Sequence, residues 1–222
     1  MDNHRLISKI FDGVSKHYDR FLKSATLGKI TKWQSELIEN TDIKDVCIDV
    51  GTGTGEILRL LPENSQKIGI DLSLQMLKVA KEKLKNKKNT FFIKCSALYL
   101  PFKNSSVSNI FYSLVFRHLE NEKALKEAKR VLRQNGQISI LDVGKPNSKL
   151  LFKFILFFSD KLFRPIGRLI YSKEEYDYFI DSIKEAKSIE ELNNFFENNG
   201  FKTIYNKKYL FGMIYLAAYE KV

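Results

Sequence analysis

VCIDVGTGTGEI, residues 46–57, decides the fold. Val46 to Val50 is apolar but for one acid, Asp49, and glycine then stands at every second position, at Gly51, Gly53 and Gly55. A short apolar run bounded by glycine reads as a buried strand. Glycines directly after it let the backbone turn sharply and approach a ligand with no Cβ in the way. A helix expected over Gly55–Leu61, stopped by Pro62, puts this loop at a helix N-terminus, where backbone N–H groups face outward.

Outward from the loop, strand and helix alternate. Strands are expected at Asp45–Val50, Lys67–Asp71, Phe91–Cys95, Val107–Leu114 and Gln137–Asp142. Further helices are expected from the Ser73 cap to about Leu84 and over Glu122–Leu132, the latter ended by the RQNG turn at Gly136. Such alternation predicts a parallel sheet with helices on both faces. Leu6 to Asn40 has apolar residues three or four apart and a break near Leu27 and Gly28. Helices from Leu150 to Ser182 read as an insertion over the sheet's carboxyl edge, where open α/β sheets bind ligands. KTIYNKKYL and GMIYLAAYEKV, around Phe211 and Gly212, read as a last strand pair. The fold class expected is α/β, a doubly wound seven-stranded mostly parallel sheet in a single domain. Its parts are an N-terminal helical lid (1–40), a cofactor-binding core (45–145), a helical cap (149–198) and the final strand pair (201–222).

Composition narrows the setting. With 222 residues and 44% hydrophobic content the chain can bury one good core. A formal charge of +11 favours anionic partners such as nucleic acid, a phospholipid surface or a phosphorylated substrate, although lysine also serves plain solubility. Cys47 and Cys95 lie in strand-like runs at a spacing that suits neither zinc nor a disulfide framework, so a reducing, cytoplasmic location is expected. MDNHRLISKIFDG has no hydrophobic signal core, and LLFKFILFFSDKLF is too short and too charged to span a bilayer.

The loop also discriminates among ligands. A dinucleotide fingerprint would place its third glycine at position 56, which is Glu56 here. Gly-x-Gly-x-Gly, with Asp49 two residues ahead, suits a ligand with a cationic part and favours S-adenosylmethionine. Asp71, ending the second strand, suits two ribose hydroxyls or the cap of the following helix. Met76 could pack on an adenine face or in the core, and Ser96 could reach an adenine amino group.

CIDVGTGTGEI, IGIDLSLQMLKVAKEKL and ALYLPFKNSSVSNIFYSLVFRHLENEKALKEAKRVLRQNGQISILD, in that order, resemble class I S-adenosylmethionine-dependent methyltransferases. IFDGVSKHYDRF, FRHLENEKALKEAKRVL, Lys145-Pro146 and YDYFIDSI ahead of NNGF narrow the resemblance to the ubiquinone/menaquinone biosynthesis C-methyltransferases, over nearly the whole chain. The resemblance implies that Tyr18 and Asp19 fold over the cofactor as part of a lid. It implies cofactor contacts from Asp49, Gly51, Thr52, Gly53 and Gly55, from Asp71, Leu72 and Met76, and from Ser96 and Ala97. The chain departs from the family in having Phe116-Arg117-His118 where Leu-Arg-Asn is usual, and Ala218 where a histidine is usual.

Methylating a quinol ring carbon needs a phenolate, in-line placement and exclusion of water. A base, or a cation that stabilises the phenolate, is therefore required. The resemblance places a catalytic arginine at Arg117, and His118 could take the proton or cap the next helix. Tyr176, Tyr178 and Ser182 are candidates for the substrate pocket, and only the last two share a helix face. No metal site is expected. KLLFKFILFFSDKLFRPIGRLIYSKEE mixes phenylalanine and leucine with cations, which suits a peripheral segment on an anionic membrane holding a lipophilic quinol. A phospholipid headgroup or a small phenol is the alternative acceptor. RNA is disfavoured because the basic residues are spread along the chain with no stacked aromatic motif. A homodimer is compatible with this reading.

Overall fold

A computed structural model describes residues 12, 13, 15, 18–146, 148, 150–157 and 173–222, the last without the side chains of residues 173–176 and 179. Two helices come first, α1 (Tyr18–Ala25) and α2 (Lys29–Glu39), separated by left-handed backbone at Leu27 and Gly28 where the break is expected. The alternating part follows as β1 (Val46–Val50), α3 (Glu56–Leu60), β2 (Gln66–Asp71), α4 (Leu74–Lys83), β3 (Thr90–Lys94), β4 (Val107–Ser113), α5 (Asn121–Val131) and β5 (Leu132–Val143). Residues 150–157 form a helix, α6. Then come α7 (Lys173–Lys184), α8 (Ile189–Glu197), β6 (Phe201–Tyr209) and β7 (Ile214–Lys221).

One seven-stranded sheet joins them in the order β3-β2-β1-β4-β5-β7-β6. β1 pairs in parallel with both β2 and β4, and β7 runs antiparallel to β5 and to β6. The fold is therefore the doubly wound, mostly parallel sheet the sequence implies, and the strand order reverses between β1 and β4. Such a reversal opens a crevice beyond the strands' carboxyl ends. Two apolar layers cover the sheet. On one face Leu125, Ala128 and Val131 of α5 and Leu192 and Phe196 of α8 pack against Ile110, Ile140 and Tyr219; on the other, Trp33 and Leu37 of α2 pack with Ile57, Leu58 and Leu216.

Two expectations change. The RQNG stretch is not a simple helix stop: α5 ends at Val131 and β5 begins at once. Val107 pairs with Leu132 and Asn109 with Gln137, so residues 133–136 loop out of the ladder. The left-handed residue in that loop is Asn135 (φ 58°), not Gly136. Gly136 is needed there for space, since a Cβ would lie 2.8 Å from Leu132 Cγ. The second change concerns the expected cap over residues 149–198. Its last helix, α8, is no cover for the cleft: it starts at a Ser188–Glu191 capping box and stacks Phe196 on Tyr219, with ring centroids 3.9 Å apart, as part of the flanking layer. α7 does approach the carboxyl edge, beside the short 3-10 turn at Phe116–His118. The membrane segment read at Lys149–Glu175 lies largely outside the described residues, as does most of the lid ahead of Tyr18.

Among the described residues no helix is long and apolar enough to cross a membrane. Both cysteines are free, and burial pushes each thiol up to about 11, so both stay protonated at neutral pH.

Candidate active site

The crevice at the strand reversal is lined by the glycine loop, the ends of β2 and β3, α1 and the turn after β4. Its centre is Asp49, which is 1% exposed. Oδ2 accepts a 2.7 Å hydrogen bond from Thr52 Oγ1, while Oδ1 is buried with no hydrogen-bond partner among the described residues. Burial raises this carboxyl to about 7, against the pull of the Thr52 bond, and the nearby Asp71 charge adds to the rise. An orphaned carboxylate oxygen beside a ligand-sized cleft calls for a cation. The α-ammonium of S-adenosylmethionine fits that requirement.

The loop around Asp49 is held by main-chain contacts. Gly53 N–H and Ser73 N–H each donate to Asp71 at 2.8 Å, so this acid ties the loop to the end of β2. Burial raises the Asp71 carboxyl while those backbone bonds oppose the shift. Each oxygen keeps a lone pair for a ribose hydroxyl. The alternative reading of Asp71 as a helix cap falls to its neighbour instead, because Ser73 Oγ accepts from Met76 N–H at 3.0 Å.

The three loop glycines differ in purpose. At Gly51 (φ 68°) a Cβ would fall 2.5 Å from Val115 Cγ2, so this glycine lets the turn after β4 close down on the loop. Gly53 faces the cleft, with Tyr18 as its nearest side chain. Gly55, expected among the cofactor contacts, does not line the cleft: its missing Cβ makes room for Leu84 at 2.8 Å as it caps α3. The other expected positions, Tyr18, Thr52, Leu72, Met76, Ser96 and Ala97, all line the cleft. Asp19 lies there too, accepting from Thr54 Oγ1 and pairing with Lys83, which also binds Glu56 at 2.7 Å. α1 is thereby pinned to the loop.

On the far wall the two candidate catalytic residues separate. His118 lines the cleft, and its Nδ1 lies 2.9 Å from the Tyr178 hydroxyl of α7, with the two rings stacked at 5.5 Å. Burial, and then the Arg117 charge, hold this imidazole well below its ordinary value, so it is neutral at physiological pH. It is not the N-cap of α5, which is Glu120 and makes no side-chain capping bond. Arg117, expected to face the phenolate, is turned into the protein. Its guanidinium pairs with Asp142 and donates to the Leu114 carbonyl at 3.0 Å, and it does not line the cleft. Ser182 is buried one turn beyond Tyr178 on α7 and does not line the cleft either. The Tyr176 side chain lies outside the described residues.

Sequence reasoning missed Asp142, the buried partner of Arg117, and Gln34, which donates to Ser113 Oγ at 3.4 Å inside the cleft. Asp142 carried a signal, as an acid closing an apolar strand. Gln34 carried none, because its partner is 79 residues away. Among the described residues no cluster of side chains could hold a metal ion.

Comparison with known proteins agrees with this architecture. A family model described as the ubiE/COQ5 methyltransferase family matches residues 1–220. The ubiquinone/menaquinone biosynthesis C-methyltransferase UbiE of Desulfotalea psychrophila is 27% identical, across 94% of this chain and 87% of its own. A demethylmenaquinone methyltransferase of Lactiplantibacillus plantarum is 25% identical, across 93% and 92%. Among solved structures, a SAM-dependent methyltransferase from Aquifex aeolicus superposes with a TM-score of 0.60 at 21% identity, covering 84% of this chain and 88% of that one.

Proposed function

Since the chain belongs to the ubiE/COQ5 methyltransferase family and is an S-adenosylmethionine-dependent methyltransferase, we propose that its acceptor is a ring carbon of a demethylmenaquinol-like prenylated quinol. The observation that carries this reading is the pairing of two buried groups across one cleft. Asp49, an acid without a counter-charge, stands on one wall and His118, a neutral imidazole, on the other.

Asp49 holds the cofactor's ammonium, Asp71 its ribose, and Met76 with Ala97 the base. When bound, S-adenosylmethionine supplies an electrophilic methyl group on a sulfonium. His118, kept unprotonated by burial and the Arg117 charge, takes the proton of the ring hydroxyl as a weak base and sheds it again readily. Tyr178 orients that imidazole and screens it from water. Arg117 acts at one remove: locked to Asp142, its positive charge disfavours a lasting imidazolium and returns His118 to its neutral form. Phe116 and Leu119 keep the turn that bears His118 against apolar surroundings, which suits a reaction that neutralises charge. A lipophilic quinol also fits a peripheral site at the inner face of a membrane.

Methyl transfer from labelled S-adenosylmethionine to a reduced demethylmenaquinone in detergent, read by mass spectrometry, tests the assignment. A product heavier by one methyl group is expected. Label appearing in phospholipid, or in no lipid at all, would overturn the quinol as acceptor and leave the cofactor site standing.

A further inference from the structure

Turns at the carboxyl edge are built from residues that sterics disfavour there. Leu27, between α1 and α2, and Leu210 and Phe211, at the tip of the β6–β7 hairpin, have φ of 50°, 48° and 59°. Left-handed backbone suits glycine or asparagine, and a large side chain strains it. Leu27 and Phe211 gain little burial in return, being 86% and 81% exposed, and Leu210 is half-exposed at 53%. α2, which starts just after Leu27, packs its Trp33 ring 5.4 Å from that of Tyr209, the residue ahead of the hairpin tip. The hairpin also meets the chain leaving β5. Gly144 N–H donates to the Met213 carbonyl at 3.0 Å, and Gly212 lies against Pro146. Four residues further, Leu150 at the start of α6 is exposed as well. Apolar side chains therefore gather at the edge onto which the cleft opens.

Charge around the Leu27 turn is one-sided: residues 20–35 hold Arg20, Lys23, Lys29 and Lys32 and no Asp or Glu. At the hairpin the cations are matched, Lys207 by Glu36, Lys208 by Glu190 and Lys145 by Glu191. Exposed apolar tips beside a cationic turn match an anionic bilayer, where insertion and headgroup attraction add.

We propose that this edge docks on an anionic lipid bilayer, with Leu27, Leu210 and Phe211 entering the acyl boundary and the cations around Leu27 at the headgroups. A prenylated acceptor would then pass from bilayer to cleft without crossing water. That purpose rests on the quinol reading, but the docking itself is measurable without it.

The test is co-sedimentation of the full chain with phosphatidylcholine vesicles, with and without phosphatidylglycerol. The wild type is expected to bind the anionic vesicles, to bind neutral ones poorly and to be released by high salt. The L210N/F211G variant should lose about tenfold or more in vesicle affinity. Asn and Gly suit the backbone both positions already adopt, so this variant should fold at least as well and keep its S-adenosylmethionine affinity. K23Q/K29Q should weaken binding to anionic vesicles only. Wild-type protein that ignores anionic vesicles, binds both kinds alike, or binds no better than L210N/F211G would overturn the proposal. Methylation of a short-tailed quinol without vesicles separates the two ideas: activity there with no vesicle binding sinks docking alone, and vesicle binding with no quinol methylation sinks the acceptor alone.

Discussion

The two walls of the cleft are made in opposite ways. The wall assigned to the cofactor comes from contiguous sequence: Asp49, its Thr52 partner and the loop glycines span seven residues, and Asp71 reaches that loop from the adjacent parallel strand. The wall assigned to the acceptor is assembled across the chain: His118, after β4, lines the cleft, and it is backed by Tyr178 on α7 and, through the turn at Arg117, by Asp142 at the end of β5. The first wall is defined by bonds within the loop and to the neighbouring strand. The second depends on side chains meeting over distances of 25 and 60 residues, so it is the part that a relative could rebuild for another acceptor. The contrast teaches that cofactor choice is a local property here and acceptor choice a tertiary one.

Substitutions can break this contrast. His118→Ala should lower kcat by about 10²–10⁴ and leave S-adenosylmethionine affinity unchanged, as stopped-time assays and calorimetry would show. Equal losses in both would make His118 part of the cofactor wall. Asp49→Asn should weaken the cofactor by about a hundredfold, because an ion-assisted contact is lost.

Asp49→Asn should also stabilise the empty protein. The folded-state carboxyl sits at about 7, above its unfolded value, so the folded form binds more protons and stability falls as pH rises between those values. Removing the charge should therefore raise stability at pH 8 by roughly 1–3 kcal/mol, measured by chemical denaturation. By the same sign, cofactor affinity in the wild type should fall as pH drops below about 7, by up to about tenfold per unit, as the carboxylate that binds the ammonium is protonated.

Arg117→Met sharpens the comparison, since it asks whether Arg117 acts on the acceptor or on the fold. Leaving Asp142 buried without its partner should cost about 3–5 kcal/mol, seen as a lowered Tm. Restoring stability with D142L in the same chain while activity stays low would show a role beyond structure. The smallest effect lies away from both walls. Glu36 accepts from Tyr205 at 2.8 Å, and from Lys207 and Tyr209; burial opposes its ionisation, but these donors more than offset it and hold the carboxyl at about 2. Its contribution is present above the ordinary carboxylate range and fades as pH falls toward 2. Glu36→Gln should cost about 1 kcal/mol and leave kcat unchanged.

The same contrast explains what the sequence made legible. β1, the glycine loop, Asp71 and the Ser73 cap follow from local pattern, since an apolar run, a turn and an N-cap each announce themselves within a few residues. The Arg117–Asp142 pair does not. Arg117 resembles any arginine after a strand until the parallel pairing of β4 with β5 sets Asp142 beside it. Gln34 and Glu36 stand on one helix, yet one meets β4 and the other β6, which no local periodicity reveals. The loop at residues 133–136 was hidden for another reason: a turn signal was present, but only the register of Val107 and Asn109 shows that the strand resumes on both sides of it.

That loop has a practical consequence. Arg133, Gln134 and Asn135 are exposed at the amino edge, across the sheet from the cleft, and the ladder closes again behind them. Short insertions are best tolerated at such exposed polar tips. A peptide tag or fluorophore placed between Gln134 and Asn135 would sit on the side of the molecule facing away from the cleft. The fold thus carries its own attachment point for immobilised assays or single-molecule work, one that reports on the enzyme without touching what it does.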